Sequence, residues 1–215
     1  MTDHLSKYRE AASYFDPWSV SFPKRDAFID SMIAKFVPNK KVVETGSRSG
    51  LFCYSSYYHG CDYVVGVEFV NDLVVGSRNS FEKMCVPKSK YEFVHTRAEH
   101  FDYSGFDFVL CIGLLYNIPD DLKHKVLERL KKVPLFLVEI WCVEDENPEP
   151  HTTVFTSIFK GCPYPQYKPN KIQAENFLKQ HHFSFQEVTP KEFDSNRLHV
   201  HIDRYWLCTP MIPML

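Results

Sequence analysis

From Lys41 onward the chain alternates short apolar runs with stretches whose apolar residues recur at helical spacing. KKVVET, YVVGVEF, YEFVH, FDFVLCI and PLFLVEIW are runs of β-branched and aromatic residues bounded by polar turns, the pattern of strands buried on both faces. Between them the pattern predicts a short helix ending at Gly60, a helix opening at Asn71, and the helix PDDLKHKVLERLKK, with Leu122, Val126, Leu127 and Leu130 as its buried stripe. Strands that alternate with helices predict a parallel sheet joined by crossovers. KIQAENFLKQHH then reads as a helix, FSFQEVT as a strand and RLHVHIDRYWLC as a longer alternating strand. No helix separates the last two, so they predict an antiparallel hairpin at one edge of the sheet.

Two segments depart from this rhythm. The first forty residues read as two helices, His4 to Tyr14 and Lys24 to Phe36, interrupted by FDPWSVSFP, where Pro17 and Pro23 break the pattern. Residues 1–40 are therefore expected to form an N-terminal helical cap, and 41–215 an α/β domain. Residues 143–170 hold five prolines and no clear period, and are expected to be a functional insert after the fifth strand. Trp18 and Phe22 in the first break, and Tyr164 and Tyr167 in the insert, suit either a pocket wall or ordinary packing.

Composition changes this picture little. The 215 residues suffice for one sizeable core, and 44% hydrophobic with 24% charged residues is ordinary globular usage. A formal charge of -2 gives no general attraction to a polyanion, and the lysines of the DDLKHKVLERLKK helix read as a solvated face. Seven cysteines without CxxC spacing, several inside apolar runs, read as reduced thiols of a cytoplasmic protein. No apolar run is long enough to cross a bilayer as a helix.

The candidate chemistry lies at the ends of the predicted strands. In VVETGSRSGLF, Gly46 and Gly50 flank the turn from strand to helix, where a ligand can reach the main chain and a helix N-terminus offers N–H donors. The second strand ends on Glu68, whose carboxylate can accept both hydroxyls of a ribose. TRAEHF follows the third strand with groups suited to an adenine edge, and FDFVLCIGLLYNIPD closes the fourth with Gly113 and Tyr116. A dinucleotide redox enzyme would want G-x-G-x-x-G in the first turn, where this chain has G-S-R-S-G.

In these features the chain resembles the class I S-adenosylmethionine-dependent methyltransferases, over about Lys41 to Cys208. VETGSRSG is similar to their first motif, with Arg48 where the family commonly has a glycine. The resemblance implies a Rossmann-like fold, S-adenosyl-L-methionine as cofactor, Glu44 and Gly46 near its methionine end, and Ser47 and Gly50 as further cofactor-binding residues. It implies Glu68 at the ribose, Phe69 flanking the adenine, Ala98 and Glu99 along the adenine edge, and Cys111 at the end of the fourth strand as a further contact. Arg97 stands where many relatives carry an aspartate that accepts from the adenine amino group. CIGLLYNIPD is similar to a GxLYH segment of tRNA wobble-uridine methyltransferases, with Asn117 in place of the histidine.

Methyl transfer from a sulfonium is an in-line displacement, which needs placement of the acceptor before it needs any one side chain. Tyr116 is the candidate acceptor-side residue and His151 the candidate general base. His199, His201 and Asp203 alternate along the last strand as three metal ligands would, but a solvated sheet face has the same pattern, and no metal is assigned. His181 and His182 end a helix, where a partly charged imidazole suits the dipole. The expected reaction is methylation of an oxygen or nitrogen on a small molecule. A tRNA wobble-uridine activity, and a cofactor-binding regulatory protein without turnover, are the alternatives.

Overall fold

The computed structural model describes residues 3–13, 22–143, 153–159, 162–191 and 202–211, with only the backbone of 153–159, 162–168 and 202. The chain divides into two compact units, Met1–Leu110 and Cys111–Leu215.

The first unit holds α1 (Asp3–Ala12), α2 (Pro23–Phe36), β1 (Lys41–Thr45), α3 (Leu51–Tyr58), β2 (Tyr63–Glu68), α4 (Asn71–Lys83), β3 (Tyr91–His95) and β4, which spans Phe108–Cys111 and carries the chain out of the unit. Its strands lie in the order β3-β2-β1-β4 and every pair is parallel. The chain thus builds outward from β1 to β3 and returns to the other side of β1, which makes the β1/β4 boundary a topological switch point. Val42, Val43, Val64, Phe108 and Val109 are fully buried, as strands covered on both faces require. Pro23, read from sequence as a breaker, occupies the first turn of α2, where a missing N–H costs nothing. Asp26 accepts the Phe22 N–H at 3.0 Å and pairs with Arg9, tying α2 to α1.

The second unit holds α5 (Asp120–Leu130), β5 (Phe136–Cys142), β6 (Thr153–Phe159), β7 (Cys162–Lys168), α6 (Lys171–Gln180), β8 (Phe183–Glu187) and β9 (Ile202–Pro210). Here the strand order is β5-β9-β8, with both pairs antiparallel, so the expected C-terminal antiparallel pairing is present and β8 is its outer strand. Trp206, Tyr205, Phe136 and Phe183 fill the core of this unit. Within it the fully buried Glu139 accepts the Tyr205 hydroxyl at 2.8 Å. Asn170 and Gln173 close a reciprocal capping box on α6.

Three details differ from the expectations drawn from sequence. The segment without a clear period contains an antiparallel pair, β6 with β7. Pro163 and Pro165 sit two residues apart in β7, so both lack an N–H on the same side of the strand, as an edge strand tolerates, and among the described residues β7 pairs with β6 alone. On α5, Lys123 is buried rather than solvated, laying its stem against the core while Nζ reaches Asp120 at 2.7 Å. His181 is buried between His124 (2.7 Å) and Glu128 (3.1 Å), and burial lowers its pKa, so packing holds it in place of a charged interaction with the helix dipole.

Candidate functional site

The turn between β1 and α3 is built from left-handed residues: Gly46 at φ 73°, Arg48 at φ 49° and Gly50 at φ 79°. The N–H groups of Gly46 and Ser47 donate to the Val67 carbonyl at 2.9 and 3.0 Å, which fastens the turn to the end of β2. Gly50 is required twice over. Besides its φ, a Cβ there would lie 2.8 Å from Phe93 and 3.0 Å from the Tyr8 hydroxyl. Its lack of a side chain therefore makes room for the protein's own aromatic rings, not only for a ligand. Arg48 accepts a conformation that disfavours a side chain, and is held by its N–H to Glu68 Oε2 (3.0 Å) and by the Ser77 hydroxyl on its carbonyl (3.0 Å).

Glu44 is buried at the end of β1, where Oε2 accepts both the Cys53 backbone N–H (2.9 Å) and the Cys53 thiol (3.0 Å). The carboxyl group thereby satisfies an N–H in the first turn of α3. Burial pushes its pKa up to about 8, against the Cys53 hydrogen bonds and the Arg25 guanidinium, which favour the ionised form. Burial thus favours the protonated form of Glu44.

Glu68 is 5% exposed and is gripped at both oxygens, Oε1 by the Val70 N–H (2.9 Å) and Oε2 by the Arg48 N–H (3.0 Å). Burial raises its pKa and these backbone donors oppose the rise. The Phe69 N–H is a third backbone donor favouring the ionised carboxylate, which offers about four lone-pair directions in all. Phe69, next in the chain, is 59% exposed, an unusual amount for a large apolar ring. Beyond β3, Ala98 and Glu99 are buried in a short 3₁₀ turn, with Arg97 Nε 2.6 Å from Glu99 Oε1. Tyr103 ties this turn to β1 by donating to the Ala98 carbonyl (3.1 Å) and contacting Thr45 Oγ1 (3.0 Å). Ser47 Oγ is buried with no hydrogen-bond partner among the described residues.

The carboxyl ends of β1, β2 and β3 therefore bring together Glu44, Ser47, Glu68, Phe69, Ala98 and Glu99, all expected from sequence. In the second unit, Cys111 is buried, and burial with the nearby Glu139 pushes its thiol pKa well up. Tyr116 is buried and stacks on Trp141, with ring centroids 4.2 Å apart and 14° between planes. Asn117 turns its amide onto the Gly113 carbonyl and closes the turn after β4. His151, His199, His201 and Trp18 lie outside the described residues, and Tyr164 and Tyr167 fall on β7, where only the backbone is described.

No family model matches the chain, and no curated protein matches it. Solved structures do match it. Magnesium protoporphyrin IX methyltransferase from Synechocystis, with bound SAH, is similar at a TM-score of 0.65 and 13% identity, over 96% of this chain and 99% of that one. An S-adenosylmethionine-dependent methyltransferase from Mesorhizobium loti is similar at 0.61 and 13%, over 85% and 96% of the two chains. The fold is that of a class I S-adenosylmethionine-dependent methyltransferase. The PH0226 protein from Pyrococcus horikoshii shares this methyltransferase fold, at a TM-score of 0.68 and 17% identity over 96% and 99% of the chains. At these identities the likeness is one of architecture.

Several residues of this methyltransferase fold carry no signal in the sequence. Arg25 of α2 acts on Glu44, Tyr8 of α1 donates to the Ser49 carbonyl at 2.6 Å, and Cys53 shares the Glu44 carboxyl group. No local pattern links positions 8, 25, 44 and 53. Among the described residues, no helix is long and apolar enough to cross a membrane.

Proposed function

We propose that the protein is an S-adenosylmethionine-dependent methyltransferase acting on an oxygen or nitrogen of a small-molecule acceptor. The observation that carries this reading is Glu68: a buried carboxylate at the end of β2, oriented by backbone donors, with an exposed aromatic ring beside it. A carboxylate at a strand end can accept from the hydroxyls of a ribose, and Phe69 offers a face to the attached base. The unpartnered Ser47 hydroxyl fits a polar ligand atom at the same strand ends. When bound, the sulfonium cofactor supplies an electrophilic methyl group.

The chain's own residues would then bind and orient. Glu68 holds the sugar, the Gly46–Gly50 turn presents main chain, and Glu44 ionises more readily as positive charge approaches. Ala98 and Glu99 edge the base, with Cys111 as a further contact at the end of β4. Tyr116, braced by Trp141, is the acceptor-side residue of this reading, and His151 the base that removes an acceptor proton.

Calorimetry with S-adenosylmethionine and S-adenosylhomocysteine on the wild type, Glu68→Ala and Glu68→Gln tests the site. Losing charge-assisted hydrogen bonds to a ribose costs about 1.5 to 3 kcal/mol, a more than tenfold loss of affinity. Unchanged affinity in a folded variant removes Glu68 from the site. Transfer of labelled methyl from the cofactor to a panel of hydroxyl and amine acceptors tests turnover, and binding without transfer to any of them favours a regulatory protein. Activity confined to tRNA, with steep salt dependence, would replace the small-molecule acceptor.

A further inference from the structure

Three residues far apart in sequence meet where α1, α2 and the end of α3 converge. His4 of α1 brings Nε2 to 2.9 Å from Asp30 Oδ1 of α2, and His59, which caps α3, brings Nε2 to 3.1 Å from the same oxygen. All three atoms lie within 4.8 Å of one another. His4 and Asp30 are buried and His59 is partly exposed. We propose that His4, Asp30 and His59 form a zinc-binding site with a fourth position open to water.

The crowding at Asp30 Oδ1 points to this. Besides the two imidazoles, the Ser55 hydroxyl donates to that oxygen at 2.6 Å, so three groups converge on an atom with two lone-pair directions. Hydrogen bonding alone also requires both rings to present Nε2–H, because an ionised carboxylate only accepts. A cation among the three atoms removes that demand. Each Nε2 then supplies a lone pair from a neutral ring, Asp30 supplies its oxygen, and Ser55 keeps the carboxylate oriented.

Zinc bonds to nitrogen and oxygen of about 2.0 to 2.2 Å place neighbouring ligand atoms of a tetrahedron roughly 3.3 Å apart. The observed 2.9 and 3.1 Å need only a slight opening to reach that spacing. Two imidazoles and one carboxylate favour zinc, or a later first-row ion, over magnesium or calcium, which prefer oxygen ligands. The rings are already aimed: His4 stacks on Tyr58 with centroids 3.8 Å apart, and His59 meets His4 edge-on at 5.4 Å. The partly exposed His59 leaves the ion a way in. A bound ion would staple α1 to its neighbours and firm the helix that carries Tyr8.

The test uses untagged protein stripped with a chelator, then titrated with zinc against a chromogenic competitor, and separately with cobalt to read visible absorption. The expected result is about one ion per chain, a cobalt spectrum of low coordination number, and a loss of zinc affinity exceeding roughly 100-fold in each of His4→Ala, Asp30→Asn and His59→Ala. Zinc should raise the thermal midpoint of the wild type and not that of His59→Ala. His59→Gln, which keeps a hydrogen-bonding side chain, covers the case of a variant that fails to fold. Absence of binding at micromolar zinc, or equal binding by wild type and variants, overturns the site. So does a His59→Ala midpoint lowered equally in zinc and in chelator, which would mark the cluster as a hydrogen-bonded clamp.

Discussion

Glu44→Gln should stabilise the protein above pH 8 and leave it nearly unchanged near pH 4.5. In the folded state burial lifts the Glu44 pKa from 4.5 to about 8, with Glu68 adding to the rise and Cys53 and Arg25 opposing it. Below the lower value the group is protonated in both folded and unfolded chains and contributes nothing to pH dependence. Between the two values the unfolded chain releases its proton while the folded one retains it, so folding loses stability as pH rises. Above the upper value the loss is complete and constant. The gap between 4.5 and about 8, at 1.36 kcal/mol per pH unit, corresponds to roughly 5 kcal/mol. Relaxation around the ionised group reduces this, and about 2 to 4 kcal/mol is the expected gain of the variant at high pH.

Glutamine suits the comparison because it keeps the volume and an oxygen for the Cys53 N–H, which Glu44 accepts at 2.9 Å, while never ionising. Denaturant titrations of both proteins at a series of pH values from 4.5 to 9 give the difference directly. It should grow through the window and flatten above pH 8. A difference that stays flat, or a variant less stable at every pH, would mean that Glu44 is ionised in the folded protein at neutral pH and that the Cys53 hydrogen bonds and the Arg25 charge outweigh burial.

Gly50→Ala should cost about 1 to 3 kcal/mol in denaturant unfolding, because φ is 79° and the new Cβ would meet Phe93 at 2.8 Å; an unchanged midpoint would refute this close packing. Tyr8→Phe should cost about 1 to 2 kcal/mol by leaving the Ser49 carbonyl without the hydroxyl now 2.6 Å away, and near-wild-type stability would show that water replaces it.

Elements whose pattern is local are legible in the amino-acid sequence alone. The strands from Lys41 to Cys142 announce themselves as apolar runs, and α5 and α6 lie within a few residues of their expected bounds, because burial on two faces or on one stripe leaves a period in the sequence. The β6/β7 pair is not legible, since its prolines contradict strand propensity and only an unpaired edge reconciles them. In the site, Glu44, Glu68 and Phe69 stand out as strand-end residues. The partners that fix their chemistry do not, because Cys53, Arg25 and Tyr8 arrive by folding and obey no spacing rule. The same holds for His4, Asp30 and His59, whereas the alternating His199 and His201 carry the more conspicuous spacing. Tyr116 can be found in sequence, but its support cannot, because its stacking on Trp141 joins a turn to a strand some twenty-five residues later.

The two arginines that depart from the methyltransferase pattern have different consequences. Arg48 stands where the resemblance implies a glycine, and its backbone takes the left-handed conformation with its N–H on Glu68. Arg97 changes chemistry instead of shape. It places a guanidinium, paired with Glu99 at 2.6 Å, where an aspartate would accept from an adenine amino group. If the nucleoside lies as proposed, that amino group must find its acceptor in Glu99 or a main-chain carbonyl. In that proposal Glu99, oriented by its ion pair with Arg97, is the side-chain acceptor, and the pair acts as one unit toward the base.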